Sequence, residues 1–251
     1  MSAPHTSHPP PHTSIKAMIL AAGLGTRLKP WTDHHPKALV LVNGKSLLQR
    51  NIEYLQQFGI REVIINVHHF ADQITGLVRS NHGWGSNITI SDETDEVLET
   101  GGGLKKASWF FGEEKFVLMN VDVLTDLNLT DMISFHNQQL PLATLAVRNR
   151  ETSRYFLFNA IDELCGWRNV KTGEEKMAKP AESIIQKAFS GIHVIDPLIF
   201  SKISRQGKFS MVDVYLDLAA TNPIKAFDHS SSLFVDVGKP ESVKIAEDHF
   251  A

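Results

Sequence analysis

The sequence predicts an α/β protein with a Rossmann-like, mainly parallel (mixed) central sheet flanked by helices. Three observations carry this expectation. Apolar, β-rich runs alternate with helical stretches from Ile15 to Gln139. The first run ends in small residues and a glycine loop. Hydrophobic residues make up 42% and charged residues 21% of 251, enough to build one sizeable core.

Each element has a local reason. Ile15 to Ala22 is an apolar run that stops at Gly23, as a buried strand feeding a loop would. Ser46 to Phe58 reads as a helix: Ser46 and Gln49 have capping-box spacing, Leu47, Leu48, Asn51, Ile52 and Leu55 share a face, and Gly59 stops it. Glu62 to Val67 is a second strand, Ala71 to Arg79 a helix and Ile88 to Ile90 a short strand. Gly103 to Ala107 opens a helix, Phe116 to Met119 is a third strand ending near Asp122, and Asp131 to Gln139 is helical. Beyond it, Leu142 to Arg148, Tyr155 to Phe158, Phe189 to Ile195 and Leu233 to Val237 are strand candidates. The charged stretch from Asn169 to Lys187 reads as a loop or insertion, and Glu241 to Phe250 as a closing helix. Residues 15–251 are expected to form a single domain of two halves dividing at about residue 125. In such sheets ligands bind outside the carboxyl ends of the strands, so the loops after Ala22, Val67 and Val121 should face one site.

Composition narrows the chemistry. With 25 Lys and Arg against 28 Asp and Glu, the formal net charge is −3. This gives no reason to expect a nucleic-acid or anionic-membrane partner, and any phosphate site must be local. Cys165 is a lone cysteine, better read as a small packed residue than as a catalytic thiol. The start, rich in Pro, His, Ser and Thr, has no basic region followed by an apolar run. Residues 1 to 14 are therefore expected to be a disordered tail, with His5, His8 and His12 solvated. No apolar run approaches the roughly 18 residues of a membrane span. A cytoplasmic protein is expected.

The segment from Leu20 through Ala21, Ala22, Gly23, Leu24, Gly25, Thr26, Arg27 and Leu28 is the most informative. Its glycines allow tight turns that point amide N–H groups at phosphate oxygens. Thr26 adds a hydroxyl, Arg27 a forked cation, and Lys37 after Pro36 a mobile point charge. Taken alone, the loop permits competing readings. A dinucleotide loop wants a third glycine where Leu28 stands, and an acid after the second strand where His68 and His69 stand. A P-loop at Gly44-Lys45-Ser46 would need a glycine at Leu39. An ordinary turn between strand and helix needs neither.

The stretch LAAGLGTRLKPWTDHHPKALVLVNGKSLL resembles the signature of the sugar-phosphate nucleotidyltransferases. The resemblance continues in order. Leu98-Glu99-Thr100-Gly101-Gly102-Gly103 is similar to the family's base-contacting segment. Met119-Asn120-Val121-Asp122 falls where the family carries a metal-binding Asp, and Phe189-Ser190-Gly191-Ile192 is similar to its sugar-contacting strand. Phe234-Val235-Asp236-Val237-Gly238 is similar to the strand with a second metal-binding Asp. Together these span residues 15 to 251 and imply a fold of the nucleotidyltransferase type, with a nucleotide-binding half to about residue 125 and a sugar-phosphate-binding half after it.

The resemblance implies transfer of a nucleoside monophosphate from an NTP to a sugar 1-phosphate, with Mg²⁺ as cofactor and pyrophosphate as product. It implies catalytic roles for Arg27, Lys37, Asp122 and Asp236, the two aspartates holding the metal. It places the nucleotide against Leu20, Ala21, Ala22, Gly23, Gly25, Thr26, Glu93, Thr100 and Gly101. It places the sugar phosphate against Ser190, Gly191 and Lys179, whose Lys179-Pro180 matches a basic-Pro pair of the family. Arg154, Arg168 and Lys171 are further cations of that region. His68 and His69 are expected to pack or to border the nucleotide. One departure stands out: Val121 occupies a position that is commonly Gly, and this keeps a non-catalytic nucleotide- or sugar-sensing relative in view. Val67 to Phe70, Glu99 to Gly103 and Phe189 to Ile192 are most similar to N-acetylmuramate 1-phosphate uridylyltransferases. Mannose-1-phosphate guanylyltransferases are the alternative, and more often have Gly-Thr-Ala-Gly where Glu99-Thr100-Gly101-Gly102 stands here.

Overall fold

A computed structural model describes residues 15–250. The expected tail over residues 1–14 lies outside the described residues. Strand β1 (Lys16–Leu20) runs into an open loop with three short 3-10 turns, then the small hairpin of β2 (Leu41–Val42) and β3 (Lys45–Ser46). Next come α1 (Leu47–Gln57), β4 (Glu62–Val67), α2 (Ala71–Ser80), β5 (Asn87–Asp92) and α3 (Glu99–Lys106). After β6 (Phe116–Asn120), β7 (Val123–Thr125) and α4 (Leu129–Gln139), the chain turns mostly to strands: β8 (Ala143–Arg148), β9 (Arg154–Phe158), β10 (Leu164–Asn169), β11 (Glu174–Met177) and β12 (Ile185–Ile195). It closes with α5 (Ile199–Lys202), α6 (Met211–Leu218), β13 (Ile224–Asp228), β14 (Phe234–Asp236) and α7 (Pro240–His249).

One ten-stranded mixed sheet runs through both halves of the sequence. Its order is β11-β10-β9-β12-β6-β1-β4-β5, with β8 on β12 and β13 on β8. β6, β1, β4 and β5 are mutually parallel, and β12 enters antiparallel to β6. β8 is antiparallel to β12, hence parallel to β6, and β13 is parallel to β8. The carboxyl ends of β1, β4, β6, β8 and β13 therefore share one edge. The inner strands are buried on both faces, which is why they read as continuous apolar runs. In β1, Ala17 and Ile19 join one core layer while Met18 and Leu20 join the other.

Most expected elements are present, and the differences have physical causes. Ser46 accepts from the Gln49 amide at 3.1 Å, but the Gln49 side chain reaches Glu53 instead of completing the box. The charged stretch 169–187 is not a loop: β11 pairs antiparallel with β10, and Lys176 lies over the Trp167 ring. An exposed edge hairpin needs no apolar pattern, so its polar sequence hid it. The glycine-rich stretch lies inside α3 and not in a loop ahead of it. An added Cβ at Gly101 would sit 2.6 Å from the Phe209 ring, and one at Gly103 2.6 Å from Glu93 Oε1. These glycines let another backbone come close, and their helix is held by tertiary packing against its own low propensity.

Two consequences can be measured. A Cβ at Gly102 would run into the Gly207 carbonyl, a backbone obstacle that cannot rotate away. Gly102→Ala is expected to lower stability by on the order of 1–3 kcal/mol. The change should appear as a lower urea midpoint at unchanged m-value.

The second concerns acid. Burial holds the His136 and His229 imidazoles down to about 4 and His193 down to about 3. These groups fold neutral, so their stability contribution is complete above the unfolded value of about 6.5 and is lost as pH falls toward 4. Glu93 and Asp236, whose carboxyls burial pushes up, act in the opposite sense. Stability should decline from pH 6.5 to 4.5, each histidine adding up to about 1.4 kcal/mol per pH unit. Removing one in His136→Gln should make that decline shallower in urea melts.

Candidate active site

The site is assembled at the shared carboxyl edge. After β1 the chain leaves the sheet as an open loop, and an added Cβ at Gly23 would meet nothing within 4 Å. Gly25 sits at φ +62°, a left-handed conformation that a side chain resists, and its carbonyl accepts from Thr32 Oγ1 at 3.0 Å. A Cβ there would also press on Thr32 and Lys37. The loop is anchored from below: the Ala21 amide donates to Asn66 Oδ1 at 2.8 Å, and Asn66 Nδ2 donates to Glu93 Oε1 at 2.8 Å. Glu93 is 1% exposed, and its second oxygen accepts from the Leu98 amide at 3.4 Å. Burial pushes its carboxyl up, with Asn66 and the Leu98 amide opposing. Glu93 thus braces the loop through Asn66. It does not line the cavity above.

That cavity holds about 350 Å³, with Leu20, Ala22, Gly23 and Lys37 on one wall and Asn66, Val97, Glu99 and Thr100 on another. Asn120, Val121, Asp122 and Ser210 close it. Thr100 Oγ1 accepts from the Met211 amide at 2.8 Å. The Gly101 and Gly102 amides both donate to the Phe209 carbonyl, at 2.9 and 3.1 Å, so neither is a spare donor for a base edge. Thr26 is exposed beside Arg27 at the loop's outer turn. His68 is used in packing, its Nδ1 meeting the Glu93 carbonyl at 2.6 Å, while the His69 ring lies on Phe70.

Val121 fits without backbone strain. It is not among the residues with positive φ, its amide donates to the Leu20 carbonyl at 3.2 Å, and its carbonyl accepts from Asn51 Nδ2 at 2.7 Å. Asp122 follows and takes a close ion pair from Lys37 Nζ.

A second cavity of about 820 Å³ lies alongside, lined by Arg27, Arg150, Tyr155, Phe156, Trp167, Phe189 and Asp236 among others. Asp236 reaches Asp122 because β14 pairs with β7, putting Asp236 opposite Val123, and the Val237 amide donates to the Asp122 carbonyl at 2.8 Å. Gly238 keeps the space open, since a Cβ there would lie 2.7 Å from Asp236 Oδ1 and 2.9 Å from Arg27 Cζ. Burial and the neighbouring Asp122 carboxylate raise the Asp236 carboxyl, with Lys37, Arg27 and Arg150 opposing. Asp236 Oδ1 is buried with no hydrogen-bond partner. Two crowded carboxylates, one with an orphaned oxygen, are a donor set suited to a hard divalent cation. Among the described residues no cluster of three or more His, Cys, Asp or Glu is found, so a cation there needs further oxygens from water or substrate.

The structure thus brings together Arg27, Lys37, Asp122, Asp236 and the loop residues. Ser190 and Gly191 lie on β12, next to the wall and not on it: Ser190 Oγ meets His229 Nε2 at 2.7 Å, and Gly191 abuts Asn120. Lys179 is set apart, paired with Glu163 at 2.9 Å and absent from both linings. Arg168 pairs with Glu175, whereas Arg154 and Lys171 do line the second cavity. Sequence reasoning missed Arg150, Asn66 and Ser210. Arg150 follows a recognised strand, so the carboxyl-edge rule pointed to it, and Ser210 with Asp213 forms a capping box legible as Ser-x-x-Asp.

Comparison with known proteins agrees with this geometry. The model of the nucleotidyl transferase family matches residues 16–250. An N-acetylmuramate alpha-1-phosphate uridylyltransferase of Caulobacter vibrioides is 30% identical over 244 residues, covering 94% of this chain and 96% of that protein. A mannose-1-phosphate guanyltransferase of Yarrowia lipolytica is 29% identical, over 90% of this chain but only 61% of that protein. Among solved structures, HddC from Yersinia pseudotuberculosis complexed with GMP-PN is 25% identical with a TM-score of 0.74, covering 94% of this chain and 100% of that one. A putative glucose-1-phosphate thymidylyltransferase from Bacillus anthracis reaches a TM-score of 0.79 at 18% identity, a likeness of fold. A sheet whose carboxyl edge carries the glycine loop, the lysine and the paired aspartates is matched by a family model over nearly its whole length, and the chain belongs to the nucleotidyl transferase family.

Proposed function

We propose that this protein transfers the uridylyl group of UTP to N-acetylmuramate 1-phosphate, releasing pyrophosphate and giving a UDP-sugar in the cytoplasm. The carrying observation is that Asp122 lines one cavity, bordered by the glycine loop, while its neighbour Asp236 lines the other, bordered by cations. Such a layout suits two phosphorylated substrates brought end to end. A sugar-phosphate oxygen attacks the α-phosphorus, a new P–O bond forms, and the bond to the pyrophosphate oxygen breaks in line. The nucleophile is already ionised at pH 7, so no general base is needed, and positioning with charge neutralisation supplies the catalysis.

The chain's own groups divide this work. Gly23 and Gly25 let the loop backbone approach the triphosphate. Arg27, exposed at the loop's turn, offers a fork to the departing pyrophosphate. Lys37, paired with Asp122 in this structure, is poised to move its charge onto the reacting phosphates. Asp122 and Asp236 would hold Mg²⁺, which would screen the two anions and polarise the α-phosphate. Asn66 and Glu93 keep the loop in register, and Asn51 holds the Val121 carbonyl next to the metal-binding residue.

The choice of base and sugar is supported by full-length similarity to the Caulobacter protein. A second reading, guanylyl transfer to a sugar 1-phosphate, is favoured by the likeness to HddC, solved with GMP-PN. With the Gly101 and Gly102 amides, Asn66 and Ser210 engaged, base selection falls to Glu99 and the Thr100 hydroxyl proton at the cavity.

Two expectations follow from this assignment. Asp122→Asn and Asp236→Asn should each nearly abolish pyrophosphate release with the fold intact by circular dichroism. Arg27→Ala should lose on the order of 2–4 kcal/mol of transition-state stabilisation, measured as kcat/KM. Full Mg²⁺-dependent turnover in either aspartate variant would remove its metal role. The other expectation concerns specificity. In steady-state assays of UTP, GTP, CTP and dTTP against muramate, glucosamine, glucose and mannose 1-phosphates, UTP with N-acetylmuramate 1-phosphate should give the highest kcat/KM. A higher value for GTP would select the second reading and leave the reaction class standing.

A further inference from the structure

Among the described residues, the buried side-chain nitrogens and oxygens without a hydrogen-bond partner belong to four residues: Arg148, Arg150, His229 and Asp236. All four gather about one ring. The guanidinium carbons of Arg148 and Arg150 lie 5.2 and 5.3 Å from the Phe234 centroid, the His229 ring lies 6.0 Å away, and Asp236 is two residues along β14. Buried polar groups in folded proteins are paired almost without exception. Two of the four, Arg150 and Asp236, also line the second cavity, so this cluster of incompletely paired charges lies against a space that a ligand can fill.

Arg150 is the cationic member of the cluster that also lines the second cavity. Its Nη2 is fixed by the Phe189 carbonyl at 3.1 Å and its plane by Phe234, leaving Nε unpaired. The other cations lining this cavity, Arg27, Arg154, Lys171 and Lys239, are exposed and mobile by comparison. Asp236, with its own orphaned oxygen, stands close enough to interact with Arg150 electrostatically. An anion placed between a cation held by Asp236 and the Arg150 fork would satisfy both. Lys179 cannot do this from where it lies: its Nζ is tied to Glu163, and its amide is tied to the Cys165 carbonyl on β10. We infer that Arg150, and not Lys179, is the fixed cation that receives the phosphate of the sugar 1-phosphate. This assignment rests on reading the second cavity as the sugar 1-phosphate site. Arg148 stands behind it on the same face of the strand and its extension, adding positive potential without touching the ligand.

The test compares Arg150→Gln, Arg150→Lys and Lys179→Ala with the unaltered protein. KM for the sugar 1-phosphate should rise roughly 10- to 100-fold in Arg150→Gln, with KM for the nucleotide changed less than about twofold. Arg150→Lys, which keeps the charge but not the fork, should fall between. Calorimetric titration with sugar 1-phosphate in the absence of nucleotide should show the same loss of binding. The melting temperature of Arg150→Gln should be unchanged or higher, because the substitution removes a buried unpaired donor. An unchanged sugar KM in Arg150→Gln overturns the assignment. So does a larger rise in Lys179→Ala, or a lowered melting temperature with both KM values rising together. If N-acetylmuramate 1-phosphate is not turned over but another sugar 1-phosphate is, the proposed substrate fails and the Arg150 comparison is made with the accepted sugar.

Discussion

Asp122 and Asp236 are acids that repel, and holding them side by side is the constraint around which the rest of the molecule is arranged. The fold meets it by covalent remoteness and local clamping. Asp122 sits in the turn between β6 and β7 and Asp236 ends β14, and the two are brought together by the short β7–β14 pairing and by the Val237 amide on the Asp122 carbonyl. Asn51 reaches from α1 to fix the preceding carbonyl, and Gly238 removes a Cβ that would otherwise fill the space between Asp236 and Arg27. Lys37 and Arg27 then offset the accumulated negative charge from the first loop. A cluster so arranged is primed for positive charge and for anions that bring it.

The two cavities follow from the same sheet. The parallel strands β1, β4 and β6 deliver the glycine loop, Asn66 and Asp122 to one edge, as parallel α/β sheets do. The eleven-residue β12 then joins that sheet to the antiparallel strands of the second half, pairing with β9 near its start and with β6 near its end. Its irregular pairing with β8 lies around Gly191, where the backbone passes Asn120. The result is a continuous framework with no linker between the cavity of the glycine loop and the cavity of the buried arginine.

Much of this was legible in the sequence because it is local. Strands β1, β4 and β6 are buried on both faces and announce themselves as unbroken apolar runs, and α1 carries its cap and its stop. The loop, Lys37, Asp122 and Asp236, which the structure brings together, stand out because their neighbours in sequence form recognisable segments. What was not legible depends on partners far along the chain. β11 is an exposed polar edge, so nothing in its pattern distinguishes it from a loop. Arg150 looks like any surface arginine until Phe234 and Asp236, more than eighty residues later, close around it. Lys179 looked like a ligand by its place before a proline, but its direction is set by a β-strand bulge and Glu163.

Helix α3 carries a consequence for how the cavity beside the glycine loop comes into being. Three consecutive glycines within eight residues make it a poor helix, each costing about 1 kcal/mol relative to alanine. It is held by the Phe209 carbonyl, which takes two of its amides, and by Met211, whose amide meets Thr100, over a hundred residues later. The wall that carries Glu99 and Thr100 therefore cannot be ordered until the chain around 207–211 is in place. Such long-range closure is slow to form and is released in small openings that leave the central strands intact. In amide hydrogen exchange, this wall and the segment that supports it should therefore open together as one unit, and a ligand bound against Thr100 should tighten both at once.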